Sequence, residues 1–195
     1  MRLTPFNQGD LLKGVNHPDL RGGICVALCD HWLALMRDSR ARTPEERMDL
    51  LKQRSGAAME YQFFYSGWRQ DTGREEARAR MGQRLGHSFE GQTRIMRAFV
   101  GFDGMVERME RDLAEPGAAV TWTMALPGMG RHAIAGYHSK ESITTNIHRF
   151  ARHLFDPNVG EIVGNPQEMR AMVRELFRLV PDYNCITELD RTTAE

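Results

Sequence analysis

RGGICVALCDHWLALM, residues 21–36, decides how this chain is read. Cys25, Leu28, Cys29, Trp32 and Met36 recur at i, i+3, i+4, i+7 and i+11, which is one face of a helix. Gly22 and Gly23 end whatever precedes and let the backbone turn tightly into it. Cys25 therefore falls on the first turn of a largely buried helix. Unpaired backbone N–H groups and the positive end of the helix dipole favour a thiolate there. Two readings stand for the residue: an activated nucleophile, or a small apolar core residue, because free Cys is among the most buried types. Cys29, one turn on, and Trp32 are expected in the core.

Working outward, 195 residues are enough for one domain with a sizeable core. Hydrophobic residues make up 41% and charged residues 27%, the balance of an ordinary soluble globular protein. The 26 basic residues match the 26 acidic ones, for a net charge of +0. That argues against a general nucleic-acid binder and against a polybasic membrane module. No apolar run approaches the length of a transmembrane helix, so membrane insertion is not expected. The opening MRLTPFNQGDLLKG has no apolar stretch of the kind a cleavable secretory signal needs. Cys25, Cys29 and Cys185 cannot all pair, and Cys25 and Cys29 lie one turn apart on one helix face, a poor geometry for a disulfide. All three read as reduced, which suits a cytosolic site of action.

Along the chain, residues 1–20 read as irregular, punctuated by Pro5, Gly9, Gly14, Asn16 and Pro18. Thr43-Pro44-Glu45-Glu46 predicts a helix start with a capping box. A helix is predicted over 57–65, and another over REEARARMGQRLG with a solvated, Arg-rich face. A short helix is predicted over 88–101, carrying Phe89, Ile95, Met96 and Phe99, and a further one capped by Asp103. After Pro116-Gly117 the texture changes. AAVTWTMAL and RHAIAGYHS predict a β-hairpin about the turn PGMG, with further strands in RFARHLFD and VGEIVG. Asn165-Pro166-Gln167-Glu168 starts an amphipathic helix that Pro181 ends, and YNCITEL reads as an edge strand. Helices first and antiparallel strands second is an α+β pattern. One domain, 1–195, is expected: an irregular 1–20, a mainly helical half over 21–115 and a mainly β half over 117–195 with one helix. The expected architecture is a helical layer packed on a twisted antiparallel sheet.

A nucleophilic cysteine needs a base near its thiol and a third group to orient the base. His132 stands out among the seven histidines because it begins a strand directly after Pro127–Gly130 and is followed by Ala133, Ile134 and Ala135. Asp156 ends another strand, and Pro157 holds it extended. An aspartate fixed there can accept the imidazole N–H. His138, His148 and His153 do not make a metal site, because no Cys or carboxylate sits at ligand spacing around them. Gly101-Phe102-Asp103-Gly104 lacks the lysine and spacing of a phosphate loop, and Glu161 reads as a surface residue.

The blocks GGICVALCDHWL, GRHAIAGY and LFDPNVGE together resemble the three catalytic blocks of the YopT/AvrPphB family of bacterial effector cysteine proteases. The resemblance spans about residue 20 to residue 165. It implies a papain-like fold, Cys25 as nucleophile, His132 as general base and Asp156 as orienter, with no metal and no cofactor. It also implies a virulence role: a host or target-cell protein as substrate, reached by secretion without a signal peptide, and action in the target cell's cytosol. One departure stands out. Papain-like enzymes carry an oxyanion-hole amide five or six residues before the Cys, and here Asp19 and Leu20 hold those places. A carboxylate opposes a developing oxyanion. Asn16 is the nearest upstream amide, and the Cys25 backbone N–H is the other expected donor.

The same triad also serves a Gln/Asn deamidase or an acyl transferase, since all pass through a thioester. A non-catalytic α+β interaction module is the reading from outside the enzymes. An open groove favours the protease, a shallow one-side-chain cleft the deamidase.

Overall fold

A computed structural model describes residues 1–38, 43–86, 88, 94–97, 101–128, 130–140 and 151–194. His148, Phe89, Phe99, Met129 and most of the predicted break at DSRART lie outside them. Strand β1 (Arg2–Pro5) and the single-turn helix α1 (Gln8–Leu11) come first. Helices α2 (Cys25–Arg37), α3 (Pro44–Gln53), α4 (Ser55–Thr72) and α5 (Arg74–Leu85) follow, then β2 (Arg94–Arg97) and α6 (Gly101–Asp112). Strands β3 (Ala119–Leu126), β4 (Gly130–His138), β5 (Arg152–Asp156) and β6 (Gly160–Gly164) precede α7 (Met169–Leu179) and β7 (Glu188–Thr193). All seven strands form one antiparallel sheet in the order β1-β6-β5-β4-β3-β7-β2.

Local chemistry sets several boundaries. Thr43 accepts from the Glu46 N–H, and Glu46 returns a bond to the Thr43 N–H, with Pro44 at the first helical position. Such a cap contributes about 1 kcal/mol. Asn165 and Glu168 repeat the device ahead of α7. β4 alternates small and large residues. Ala133 and Ala135 face α2, whereas Ile134 faces α6 and α7. The short side chains let α2 sit close against β4. Its Trp32 stacks on Phe155 of β5, with centroids 5.4 Å apart. Two apolar clusters result. One lies between the sheet and α2–α5, the other between the opposite face and α6 and α7. The helical layer predicted on one side is thus joined by a second on the other.

Several expectations need correction. Residues 1–20 are not wholly irregular: β1 pairs with β6 from Arg2↔Val163 to Pro5↔Gly160. Pro5 is tolerated because β1 is an edge strand. Gly160 is required at that pairing. Its φ is +121°, and an added Cβ would meet the Thr4 carbonyl oxygen at 2.0 Å. Within 88–101, the described residues Arg94–Arg97 form a strand paired with β7, not a helix. Of the predicted edge strand over YNCITEL, residues 183–185 fall in a 3₁₀ turn, Pro181–Cys185, whereas Glu188 and Leu189 begin β7, an inner strand between β3 and β2. α4 runs past the predicted 57–65 to Thr72. Asp103 lies inside α6 and pairs with Arg170 instead of capping. The Arg-rich α5 is not simply a solvated face, because Ala77, Arg78 and Met81 are buried.

The largest reversal is Glu161. Expected on the surface, its side chain is 0% exposed. It receives Trp32 Nε1 at 2.9 Å and Arg47 through Nε at 2.9 Å and Nη2 at 2.5 Å, with His153 Nδ1 at 2.9 Å. Three partners around one carboxylate offset the cost of burying the charge. Burial on its own raises the carboxyl pKa; His153 and Arg47 outweigh it and lower the value to about 2.

Candidate active site

Cys25 is the first residue of α2, as its sequence position predicts. Ile24, at the N-cap, has no capping side chain of its own. The carboxamide oxygens of two glutamines approach the helix start instead. Gln8 Oε1 accepts from the Ile24 N–H at 2.9 Å, and Gln62 Oε1 accepts from the Ala27 N–H at 3.3 Å. The next N–H, that of Leu28, bonds back to the Ile24 carbonyl. Among the described residues, no acceptor reaches the two N–H groups between, those of Cys25 and Val26. Both residues line a cleft of about 360 Å³ that also takes in His132, Asp19, Gln62 and Arg69.

His132 stands near the start of β4, before β5 begins to pair at Ala135↔Phe155. Its ring is therefore free to meet the start of α2, where His132 and Cys25 line the same cleft and act on each other's charge. His132 Nε2 lies 3.1 Å from Asp156 Oδ1. Asp156 is buried at the end of β5. Its Oδ1 also accepts the Asn158 N–H at 2.7 Å, and its Oδ2 accepts the Tyr183 hydroxyl at 2.7 Å. Tyr183 stacks on the imidazole, with centroids 5.6 Å apart. The three residues singled out in the sequence thus lie together, in the order thiol, imidazole, carboxylate.

Electrostatics divide the cysteines. Burial pushes the Cys25 thiol up, but His132 outweighs it, and the thiol sits below its ordinary value. Burial likewise opposes a charged His132. The Asp156 carboxylate and the Cys25 sulfur prevail, raising the imidazole to about 10. The arrangement therefore favours a thiolate–imidazolium pair. Cys29 is fully buried, and burial together with the neighbouring Cys25 and Asp30 holds its thiol well above the ordinary range. Cys185 is exposed, and all three cysteines are free.

The remaining candidates sort by position. Asp19 lines the cleft, Leu20 is buried in the core, and Asn16 is exposed and is not among the cleft residues. His153 bonds Ser139 and Glu161, and His138 is buried at the end of β4. Among the described residues, no group of three His, Cys, Asp or Glu is arranged to hold a metal ion. A larger hollow of about 860 Å³ lies at the other end of α2, near Met36 and Arg37, away from the thiol. Sequence reasoning missed Gln8, Gln62, Asn158 and Tyr183. Only the turn signal Asp156-Pro157-Asn158 pointed near any of them. It also missed the buried pair beneath the site, Asp30 with Arg78 at 2.5 Å, which Tyr61 joins at 2.7 Å.

Comparison with known proteins follows this geometry. The Peptidase_C58 family model, described as Yersinia/Haemophilus virulence surface antigen, matches residues 4–182. Among solved structures, the crystal structure of the Pseudomonas avirulence protein AvrPphB is similar, with a TM-score of 0.70 and 18% identity over 92% of this chain and 95% of that one. No curated protein matches the sequence. The structural likeness carries the papain-like cysteine protease fold.

Proposed function

The chain belongs to the Peptidase_C58 family, the YopT/AvrPphB-like effector peptidases, and from that premise we propose that it is a cysteine protease working through Cys25, His132 and Asp156. The observation that supports this most is the His132 Nε2–Asp156 Oδ1 hydrogen bond beside a thiol of lowered pKa, with Cys25 and His132 lining one cleft. Cys25 attacks the scissile carbonyl as the thiolate. The oxyanion develops beside the unbonded N–H groups of Cys25 and Val26, which take the part of the missing upstream amide. His132 passes its proton to the leaving amine, and a thioester remains on Cys25. Water then attacks the thioester with His132 as base, releasing the acid and restoring the thiolate–imidazolium pair. Asp156 holds the ring and its positive charge throughout, itself held by Tyr183 and the Asn158 N–H.

Helical and sheet halves act as one catalytic domain, because the first supplies the thiol and the second the base and acid. The substrate is a target-cell protein met in the cytosol, where three free thiols persist. Among the described residues, no helix is long and apolar enough to cross a membrane. The test is N-terminal labelling of a eukaryotic cell lysate treated with wild type or Cys25→Ala. New protein N-termini that depend on Cys25 are expected. Products that gain acid at Gln or Asn while their backbones stay whole would replace the protease with a deamidase. No Cys25-dependent change of either kind would overturn both.

A further inference from the structure

We infer that Gln8 is a positioning residue of the active site, tying the start of the nucleophile helix to the turn that carries Asp156. The inference rests on the roles proposed above for Cys25, His132 and Asp156. Gln8 is 7% exposed, and both ends of its carboxamide are engaged. Oε1 accepts the Ile24 N–H at 2.9 Å, and Nε2 donates to Asn158 Oδ1 at 2.7 Å. The orientation is fixed by its partners, because a backbone N–H can only donate and so must face the oxygen. The Gln8 N–H also donates to the Pro157 carbonyl at 2.6 Å.

These bonds link His132 to the residue before Cys25. The path runs from His132 Nε2 to Asp156 Oδ1, and from Asp156 Oδ1 to the Asn158 N–H. It continues from Asn158 Oδ1 to Gln8 Nε2, from Gln8 Oε1 to the Ile24 N–H, and along one peptide bond to Cys25. Gln8 bridges residues 16 and 150 positions away, so no local turn duplicates it. Gly23 makes room for it. With φ +90°, Gly23 already disfavours a side chain, and an added Cβ would lie 3.0 Å from Gln8 Oε1. Pairing of β1 with β6 delivers Gln8 to this place, as does the bond from the Phe6 N–H to the Val159 carbonyl.

The tie fixes a separation. The thiol rides on α2 and the acid on the β5–β6 turn, and His132 must reach both. Hydrogen bonds weaken steeply with distance and angle, and a displacement of about 1 Å is enough to cost a reaction about a hundredfold. The lowered Cys25 pKa depends on the His132 contact, so a loosened tie shows in the titration of the thiol. A residue that merely supported the fold would lower the melting temperature and leave that titration alone.

The experiment follows iodoacetamide alkylation of Cys25 against pH by peptide mass spectrometry, with Cys185 as the internal ordinary thiol. The proteins are wild type, Gln8→Met, Asn158→Ala and the double variant, each with and without His132→Ala, and circular dichroism checks folding. Gln8→Met keeps the length of the side chain and removes both polar ends. Asn158→Ala removes the other half of the tie, keeps the N–H that holds Asp156, and sits at an exposed position, so it serves if Gln8→Met does not fold. Each single variant is expected to raise the Cys25 midpoint by about one pH unit and to slow alkylation about tenfold at pH values well below that midpoint. The double variant is expected to be no worse than the singles, and Gln8→Met to add nothing once His132 is gone. A folded Gln8→Met or Asn158→Ala with the wild-type profile overturns the inference. A wild-type Cys25 that titrates like Cys185 overturns instead the active-site reading beneath it.

Discussion

Replacing Glu161 by Gln keeps the shape of a buried side chain and removes its charge. Arg47, whose side chain is 1% exposed, then loses its carboxylate, and an amide nitrogen is set among groups that donate. Breaking one side of a buried pair costs about 3–5 kcal/mol. The titration of Glu161 gives a second route to the magnitude. Its pKa falls from 4.5 to about 2 on folding, which at about 1.4 kcal/mol per pH unit is about 3 kcal/mol. A carboxyl depressed on folding contributes fully above its unfolded value and loses that contribution as pH falls through the folded one. Of the ~3 kcal/mol at neutral pH, less than half remains at pH 3. Urea unfolding of wild type and Glu161→Gln at pH 7, 4 and 3 measures both quantities. With a slope of about 2 kcal/mol per molar urea, the midpoint at pH 7 should drop by about 1.5 M. The gap between the two proteins should narrow steadily toward pH 3. A difference under about 1 kcal/mol at pH 7, or one that does not shrink with acid, would refute the reasoning, since the ion pair would then add nothing net.

Two further expectations concern the site. Folded Cys25→Ala and His132→Ala should both be inactive on the substrate identified, Asp156→Asn should retain more, and a Cys25→Ala/His132→Ala double variant should be no worse than either single, because the residues act as one unit; near wild-type activity in folded His132→Ala would remove it from the mechanism. The rate profile should rise as Cys25 ionises below its ordinary value and fall as His132 loses its proton at about 10. Because Asp156 leads the groups that raise His132, Asp156→Asn should draw that alkaline limb toward neutrality, and a limb that stays in place would show that another group sets it.

What the sequence determined is what is written between neighbours. The start of α2 at Cys25, the Thr43 and Asn165 capping boxes, the β3–β4 hairpin and the turn after Asp156 each depend on residues within a few positions of one another. Periodicity and capping act over that range, so they were legible. The catalytic candidates were legible for the same reason, each standing at an element boundary that its own segment marks.

What only the tertiary structure decided depends on distant partners. Glu161 follows a turn and reads as solvated, yet Trp32 and Arg47 meet it across 129 and 114 residues. Arg78 sits in a charged run, yet it reaches Asp30 48 positions away, and burial pushes that carboxyl up against its pull. Polar ELDRTT became an inner strand because it pairs with β3 on one side and β2 on the other, and its buried Asp190 is met there by Arg74 and Arg131. Gln8, in a segment full of turn residues, reaches the Ile24 N–H because an edge strand carried it there. A buried polar group is tolerable only with its partners in place, and those partners come together only when the chain has closed.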